Sequence, residues 1–270
     1  MIHISYEFSG ESDVLAAAFG DEPGRWPLPV PTTPHQQWLR AIAAAGQGRY
    51  GSAYADLAAL TRARPSGRLA SLAHSARASF LRQLGWHGLA RGWDGRAWAL
   101  AGDDPEAAGD ALTGLAADAL GVGRLAAAAT LLARAEPFAT RAPQRLAVRR
   151  AWVAAELAMV SADGAVAVRH AEAAVELAAT TMDGAARHCA KSQVVLAAAL
   201  CSAGALGRAR DVAEAALELT ESLGLVPLRW ALACLLVDLA DTDERTADLR
   251  GVRDDCAGRV EHWGGTWRRP

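Results

Sequence analysis

KSQVVLAAALCSAGALGRARDVAEAALEL, residues 191–219, reads as two helices and a turn. The run from Val194 to Leu200 is apolar and contains no helix breaker. Gly204 and Gly207 interrupt it, because glycine weakens a helix and tolerates the backbone angles of a tight turn. Ala209, Val212, Ala213, Ala216, Leu217 and Leu219 then return at helical spacing. So short a turn lays the two helices antiparallel. One such pair leaves an apolar flank bare, so it needs neighbours of its own kind.

Those neighbours are visible along the chain. Related turns occur as GRYGSA at 48–53, GWHGLA at 85–90, GRLAAA at 123–128, DGAVA at 163–167 and GALGRA at 204–209. Their closing alanines, Ala53, Ala90, Ala128, Ala167 and Ala209, follow one another at steps of 37, 38, 39 and 42 residues. Helix pairs repeating at that period form a solenoid.

The first unit resembles a tetratricopeptide repeat: Ala41, Gly48, Tyr50, Ala53, Leu57, Leu60 and Pro65 fall in the order of that family's pattern. Later units keep the small residues, mostly lose the tyrosine and proline, and grow longer. The resemblance covers roughly residues 34–220. It implies an all-α, right-handed superhelix of about five to six helix-turn-helix repeats that binds partners and brings no catalytic residues with it. In its register the first helix of each pair lines a concave groove. That register puts His35, Trp38, Ser75, Ser79, Arg82, Arg149, Trp152, Glu156, Lys191 and Val194 on the inner wall.

Composition agrees with a helical core. Of 270 residues, 51% are hydrophobic and 21% charged, and alanine is about a quarter. Alanine is the best helix former, and its small side chain lets helices approach closely. The net charge of −2 offers no overall basic surface for nucleic-acid phosphates. Lys191 is the sole lysine; the other cations are arginines. Cys189, Cys201, Cys234 and Cys256 are widely spaced, which fits reduced thiols in a cytoplasmic protein. No signal peptide and no membrane-spanning run is expected.

Three domains of organisation are expected: an arm and Pro-rich leader at 1–33, a repeat domain at 34–263, and a flexible tail at 264–270. Ile2, Ile4, Tyr6 and Phe8 alternate with polar residues, which predicts a strand in an extended N-terminal arm. Glu11 to Phe19 predicts a short helix. Pro23, Pro27, Pro29, Pro31 and Pro34 predict an extended leader, either fastened to the first repeat by Trp26 and Leu28 or offered to a proline-binding partner. Repeats are expected over about 34–67, 68–103, 103–137, 142–181 and 183–224, then a final pair over 227–239 and 243–263. The polar second member of that pair suits a terminal cap.

Motifs for chemistry are few. Gly121-Val122-Gly123-Arg124-Leu125-Ala126 matches a dinucleotide-binding turn, but a helical stretch precedes it where that motif requires a strand, so it reads as a repeat turn. His188 or Cys189 and Cys201 lie about 120° apart around one helix, so they do not converge on a metal. Asp103-Asp104 and Asp254-Asp255 are adjacent pairs pointing different ways and read as caps. No nucleophile, acid and base set is readable, and no cofactor or metal is expected. Arg134, Arg141, Arg145, Arg149 and Arg150 read as a basic ridge, either a solvated face or a docking ridge for an acidic peptide or phosphate.

The expected function is therefore non-catalytic: a scaffold or adaptor holding a protein or peptide partner in its groove, as the repeat-built parts of bacterial regulators do. The residues expected to do so are Trp38, Arg82, Arg145, Arg149, Trp152, Glu156 and Lys191, a mixture of aromatic and charged anchors. Alternatives are a sensor domain closing on a small ligand near Trp86, Trp93 and Trp98, which a closed cavity of several hundred Å³ would favour, and an enzyme on an unfamiliar helical fold, which a strongly perturbed carboxylate or histidine in a cleft would favour.

Overall fold

A computed structural model of the chain describes the backbone of residues 4–181 and 185–268, and the side chains of residues 12–180 and 185–268. The described residues form thirteen α-helices and no strand. Helix α1 (Ile4–Phe19) leads into six antiparallel pairs. These are α2 (Pro34–Gly46) with α3 (Tyr50–Arg62), α4 (Gly67–Gln83) with α5 (His87–Ala101), and α6 (Pro105–Gly121) with α7 (Leu125–Ala139). Then come α8 (Arg145–Val160) with α9 (Gly164–Thr181), α10 (Ala186–Ser202) with α11 (Leu206–Ser222), and α12 (Val226–Leu239) with α13 (Asp243–His262). Each first helix also packs on the next first helix, α2 on α4, α4 on α6, α6 on α8, α8 on α10 and α10 on α12. This is the all-α repeat superhelix expected from the spacing. The expected start of the fifth unit at Asp183 lies outside the described residues.

The turns explain the period. Gly48, Gly85, Gly123 and Gly204 have φ of 86°, 88°, 77° and 77°. Only glycine enters that left-handed region without a Cβ penalty. The N–H one residue later reaches back to a carbonyl five residues upstream: Arg49 to Ala44 at 2.9 Å, Trp86 to Leu81 at 2.9 Å, Arg124 to Ala119 at 2.8 Å and Ala205 to Leu200 at 2.9 Å. This closure satisfies a helix-end carbonyl that would otherwise lack a partner. In the fourth unit Ala162 takes the place of glycine, with φ 60° and the same closure from Asp163 to Ala158 at 2.9 Å. The alanines that follow, Ala53, Ala90, Ala128, Ala167 and Ala209, are all 0% exposed. Nothing larger fits where each second helix crosses its partner.

Caps set several helix starts. Thr33 accepts from Gln36 N at 3.1 Å ahead of Pro34, and Asp104 accepts from Ala107 N at 2.8 Å ahead of Pro105. Each satisfies an N–H that the first turn leaves free, and proline loses nothing at that position.

Both ends differ from expectation. Residues 4–8 belong to α1 and not to a strand; residues 2–3 lie outside the described part. Three alternations are too short a pattern to outweigh the helical run DVLAAAF that follows. In that run Val14, Ala17 and Ala18 are buried at 1%, 1% and 0% exposure, and α1 packs on α2. The leader carries no helix and is fastened to the first pair. Gln47 Nε2 donates to the Pro23 and Arg25 carbonyls at 2.9 and 3.0 Å, and the Arg49 guanidinium lies 4.2 Å above the Trp26 ring.

The tail, expected to be loose, is packed over residues 264–268. Trp267 stacks on Trp230 with centroids 4.4 Å apart, Trp86 Nε1 donates to the Thr266 carbonyl at 2.7 Å, and Arg268 N donates to Leu84 O at 2.9 Å.

These contacts close the superhelix on itself. Gly51 N donates to Trp263 O at 2.7 Å, so the end of α13 meets the start of α3. Arg49 lies between two indoles, 4.2 Å from Trp26 and 4.1 Å from Trp263. Ala186 N donates to Gly20 O at 3.1 Å, and a Cβ on Gly24 would meet Leu223 O at 2.7 Å, which brings the leader against the fifth unit.

Candidate functional site

The inner helices ring a partly open chamber of about 410 Å³. All six inner helices, α2, α4, α6, α8, α10 and α12, contribute to its wall, with Phe19 of α1. Trp38, Arg82, Arg145, Arg149, Trp152, Glu156 and Lys191 all stand on that wall, as do Ser75 and Ser79. His35 and Val194 do not: His35 packs beside Trp38 at 5.7 Å between centroids, and Val194 is buried between α10 and its neighbours α11 and α12.

The aromatic faces are fixed by hydrogen bonds at their edges. Trp38 Nε1 donates to Leu72 O at 3.3 Å, and Trp152 Nε1 donates to Ser192 Oγ at 2.8 Å. His188 stacks on Trp152 with centroids 5.5 Å apart and planes at 23°. Buried at 3% exposure, His188 is held neutral, first by desolvation and then by Arg187, Arg145 and Arg149. Its Nδ1 has no hydrogen-bond partner, and neither do Ser75 Oγ and His87 Nδ1, all three on the chamber wall.

The charged side chains follow the repeat register. Arg68, Glu106, Arg145 and Arg187 each stand 22 residues before the closing alanine of their unit, in the first turn of α4, α6, α8 and α10. Glu106 bridges two of them, accepting from Arg68 Nε at 2.8 Å and from Arg145 Nη2. Those guanidiniums bring its carboxyl below the ordinary range against the opposing effect of burial. One turn further in, Asp110, Arg149 and Lys191 each stand 18 residues before the same alanines. Asp110 pairs with Arg149, and Lys191 lies 3.7 Å from Glu156. Arg82 is held by Asp94 at 2.9 Å and by Asp118.

Arg187 is the exception. Its Nη1 donates to the Ile42 carbonyl at 3.2 Å, and no carboxylate pairs with it among the described residues. Desolvation, then Arg149 and Arg145, bring its pKa down to about 10. Arg149 is likewise brought down to about 10, by desolvation and then Arg82. Arg145 and Arg187 both lie over the Phe19 ring, at 4.9 and 5.8 Å.

Burial pushes the Asp94 carboxyl up to about 7, with Arg82 opposing and Asp118 assisting. This group is 0% exposed and packs against Gly114 behind Arg82, off the chamber wall. Gly121, read as a repeat turn, ends α6, and a Cβ there would meet the His87 ring at 2.2 Å.

Two expectations are corrected. Trp86, Trp93 and Trp98 do not line the cavity. Trp86 holds the tail, Trp93 lies under Arg77 and Arg96 at 4.4 and 4.8 Å, and Trp98 packs on Phe138. The arginine ridge is also dispersed. Arg134 lies over Trp98, Arg141 precedes α8, and Arg145 and Arg149 turn inward to acids of α6. Phe19, His87, Asp110, Thr113, Arg187, His188 and Trp230 were missed. Counting back from the closing alanines finds Asp110, Thr113 and Arg187; nothing local marks Phe19 or Trp230.

No group of three or more His, Cys, Asp or Glu able to hold a metal occurs among the described residues, and no helix among them is long and apolar enough to cross a membrane. No protein-family model matches the chain, and no curated protein matches it at a significant level.

Proposed function

We propose that the protein is a non-catalytic recognition module, built like tetratricopeptide repeats, that receives a small ligand inside its ring of inner helices. The observation that carries this reading is a partly open chamber of about 410 Å³ lined by all six inner helices. That volume suits a small molecule. Fixed aromatic faces and paired side chains favour binding, because little ordering entropy is lost when a guest enters.

A non-catalytic role is supported by the state of the polar groups. The wall carboxylates Asp110 and Glu156 each sit against a cation, and the most perturbed carboxylate, Asp94, lies off the wall. The four unpaired cysteines support a reducing, cytoplasmic setting. A partner-holding role survives as a second reading, favoured by Glu156 and Lys191, whose side chains are 35% and 32% exposed. A chain end or one side chain of a partner protein would then be the guest.

Ser79→Trp fills the chamber from α4 and separates these readings. Native mass spectrometry after incubation with a small-molecule extract is expected to show a bound mass of a few hundred daltons on the wild type and none on the variant. Wild-type protein that takes up no small molecule, yet recovers a protein partner that Ser79→Trp cannot, would replace the first reading with the second.

A further inference from the structure

The register ladder across the inner helices contains a gap. Reading from α4 to α10, the same position holds Arg68, Glu106, Arg145 and Arg187: positive, negative, positive, positive. The first three are tied by Glu106. The fourth meets Arg145 and Arg149 where the alternation calls for an acid. Arg187 also occupies the first turn of α10, where the helix dipole presents its positive end. Three independent features thus place the same sign at one spot. One guanidinium N–H is used on Ile42 O, and the side chain borders the chamber. Beside it, His188 Nδ1 and, across the chamber, Ser75 Oγ are buried without partners, at 3% and 2% exposure.

Other parts of the lining have a different character. Pro227, Leu228 and Ala231 of α12, with Phe80 and Ala76 of α4, give the chamber an apolar wall. A guest satisfying both parts carries a compact anion on a cyclic, apolar body.

We propose that the chamber binds a small aromatic or cyclic acid, carboxylate or phosphate, whose anionic head completes the ladder between Arg187 and Arg145 while its ring lies toward α12. Guanidinium recognises both head groups by paired N–H donors, so the two share one site chemistry. The inference rests on the small-ligand reading above.

Three probes test it by calorimetry and indole fluorescence at pH 7.5: phenyl phosphate, 3-phenylpropionate and the neutral 3-phenylpropanol. At least one anion is expected to bind, and the tighter of the two identifies the head group. The alcohol is expected to bind at least tenfold more weakly. Arg187→Gln is expected to weaken the anion at least tenfold. Arg187→Glu supplies the missing acid from the protein, so it is expected to abolish anion binding and to raise the unfolding midpoint of the free protein. That rise also shows that the variant folds.

Equal binding of alcohol and anions, unaffected by Arg187→Gln, would overturn the anionic head and leave the small-ligand reading standing. Anion binding that persists in Ser79→Trp would place the site elsewhere and overturn both. No response to either anion at millimolar concentration overturns the inference, whatever the midpoints of the variants.

Discussion

At the scale of single residues, the repeat turn is governed by one backbone angle. Ala162 holds φ 60° where its four counterparts are glycine. A left-handed alanine carries a steric cost that glycine avoids, so Ala162→Gly is expected to stabilise the protein by about 1 kcal/mol. The reverse change at Gly123 or Gly204 is expected to cost about the same. A Cβ at either position meets nothing within 4 Å, so the backbone alone sets the penalty. Denaturant midpoints check all three. His188 makes a second residue-scale prediction. Burial and three arginines depress its folded pKa below the ordinary 6.5, so the unfolded chain binds the proton more readily. The associated stability is present above pH 6.5 and is lost as pH falls below it. His188→Phe keeps a ring on Trp152 and removes the titration. The midpoint of the wild type is therefore expected to fall relative to His188→Phe between pH 7.5 and 5.5; a constant difference between the two would contradict a buried neutral imidazole. The turn glycines and closing alanines were legible because their chemistry is local. Ala162 was not, because alanine carries no sequence signature of a left-handed turn.

At the scale of helices, α6 shows what a small residue on an inner face permits. Gly114 leaves room for the Asp94 carboxylate, whose Oδ2 would lie 2.2 Å from a Cβ at that position. Gly114→Ala therefore has to move a buried acid away from Arg82, and is expected to cost about 3 kcal/mol, as breaking a buried ion pair does. Urea unfolding measures this, and a loss under 1 kcal/mol would mean that α5 simply slides. The same packing explains why the arginine pattern was only half readable. Steps of four place Arg145 and Arg149 on one face of α8, and spacing alone leaves that face equally able to meet water or another helix. Their acids, Glu106 and Asp110, lie 39 residues earlier on α6. A charge pattern read along one helix cannot show partners that stacking supplies from the next. The repeat register does show them, and it placed Trp38, Arg82 and Trp152 on the inner wall for the same reason.

At the scale of the molecule, the decisive feature is the seam between first and last pairs, which the period did not reveal. A period fixes how one unit sits on the next. Closure depends on a small rotation per unit accumulated over six units, and on side chains that meet only afterwards. Arg49 between Trp26 and Trp263, and Trp86 on the Thr266 carbonyl, are such side chains. An open array frays from its ends, because each terminal unit has a single neighbour. In a closed ring the two ends support one another, so damage on either side of the seam is felt by both. Arg49→Ala removes a guanidinium stacked between two indoles, and Trp267→Ala removes a stacked aromatic pair; each is expected to cost about 1–2 kcal/mol. Arg49 spans the seam directly, and the Trp267 stack anchors the tail that bonds across it to Leu84 and Trp86. The double variant is therefore expected to lose less than the two single losses combined, by at least 0.5 kcal/mol, since the first change already opens the seam on which the second depends. Amide exchange should report the same event, with either single change raising exchange in both α2–α3 and α12–α13. Additivity within about 0.3 kcal/mol, with exchange raised only around the altered residue, would mean that the ends are independent. The chamber would then be an open groove in solution, and a peptide would become the better guest.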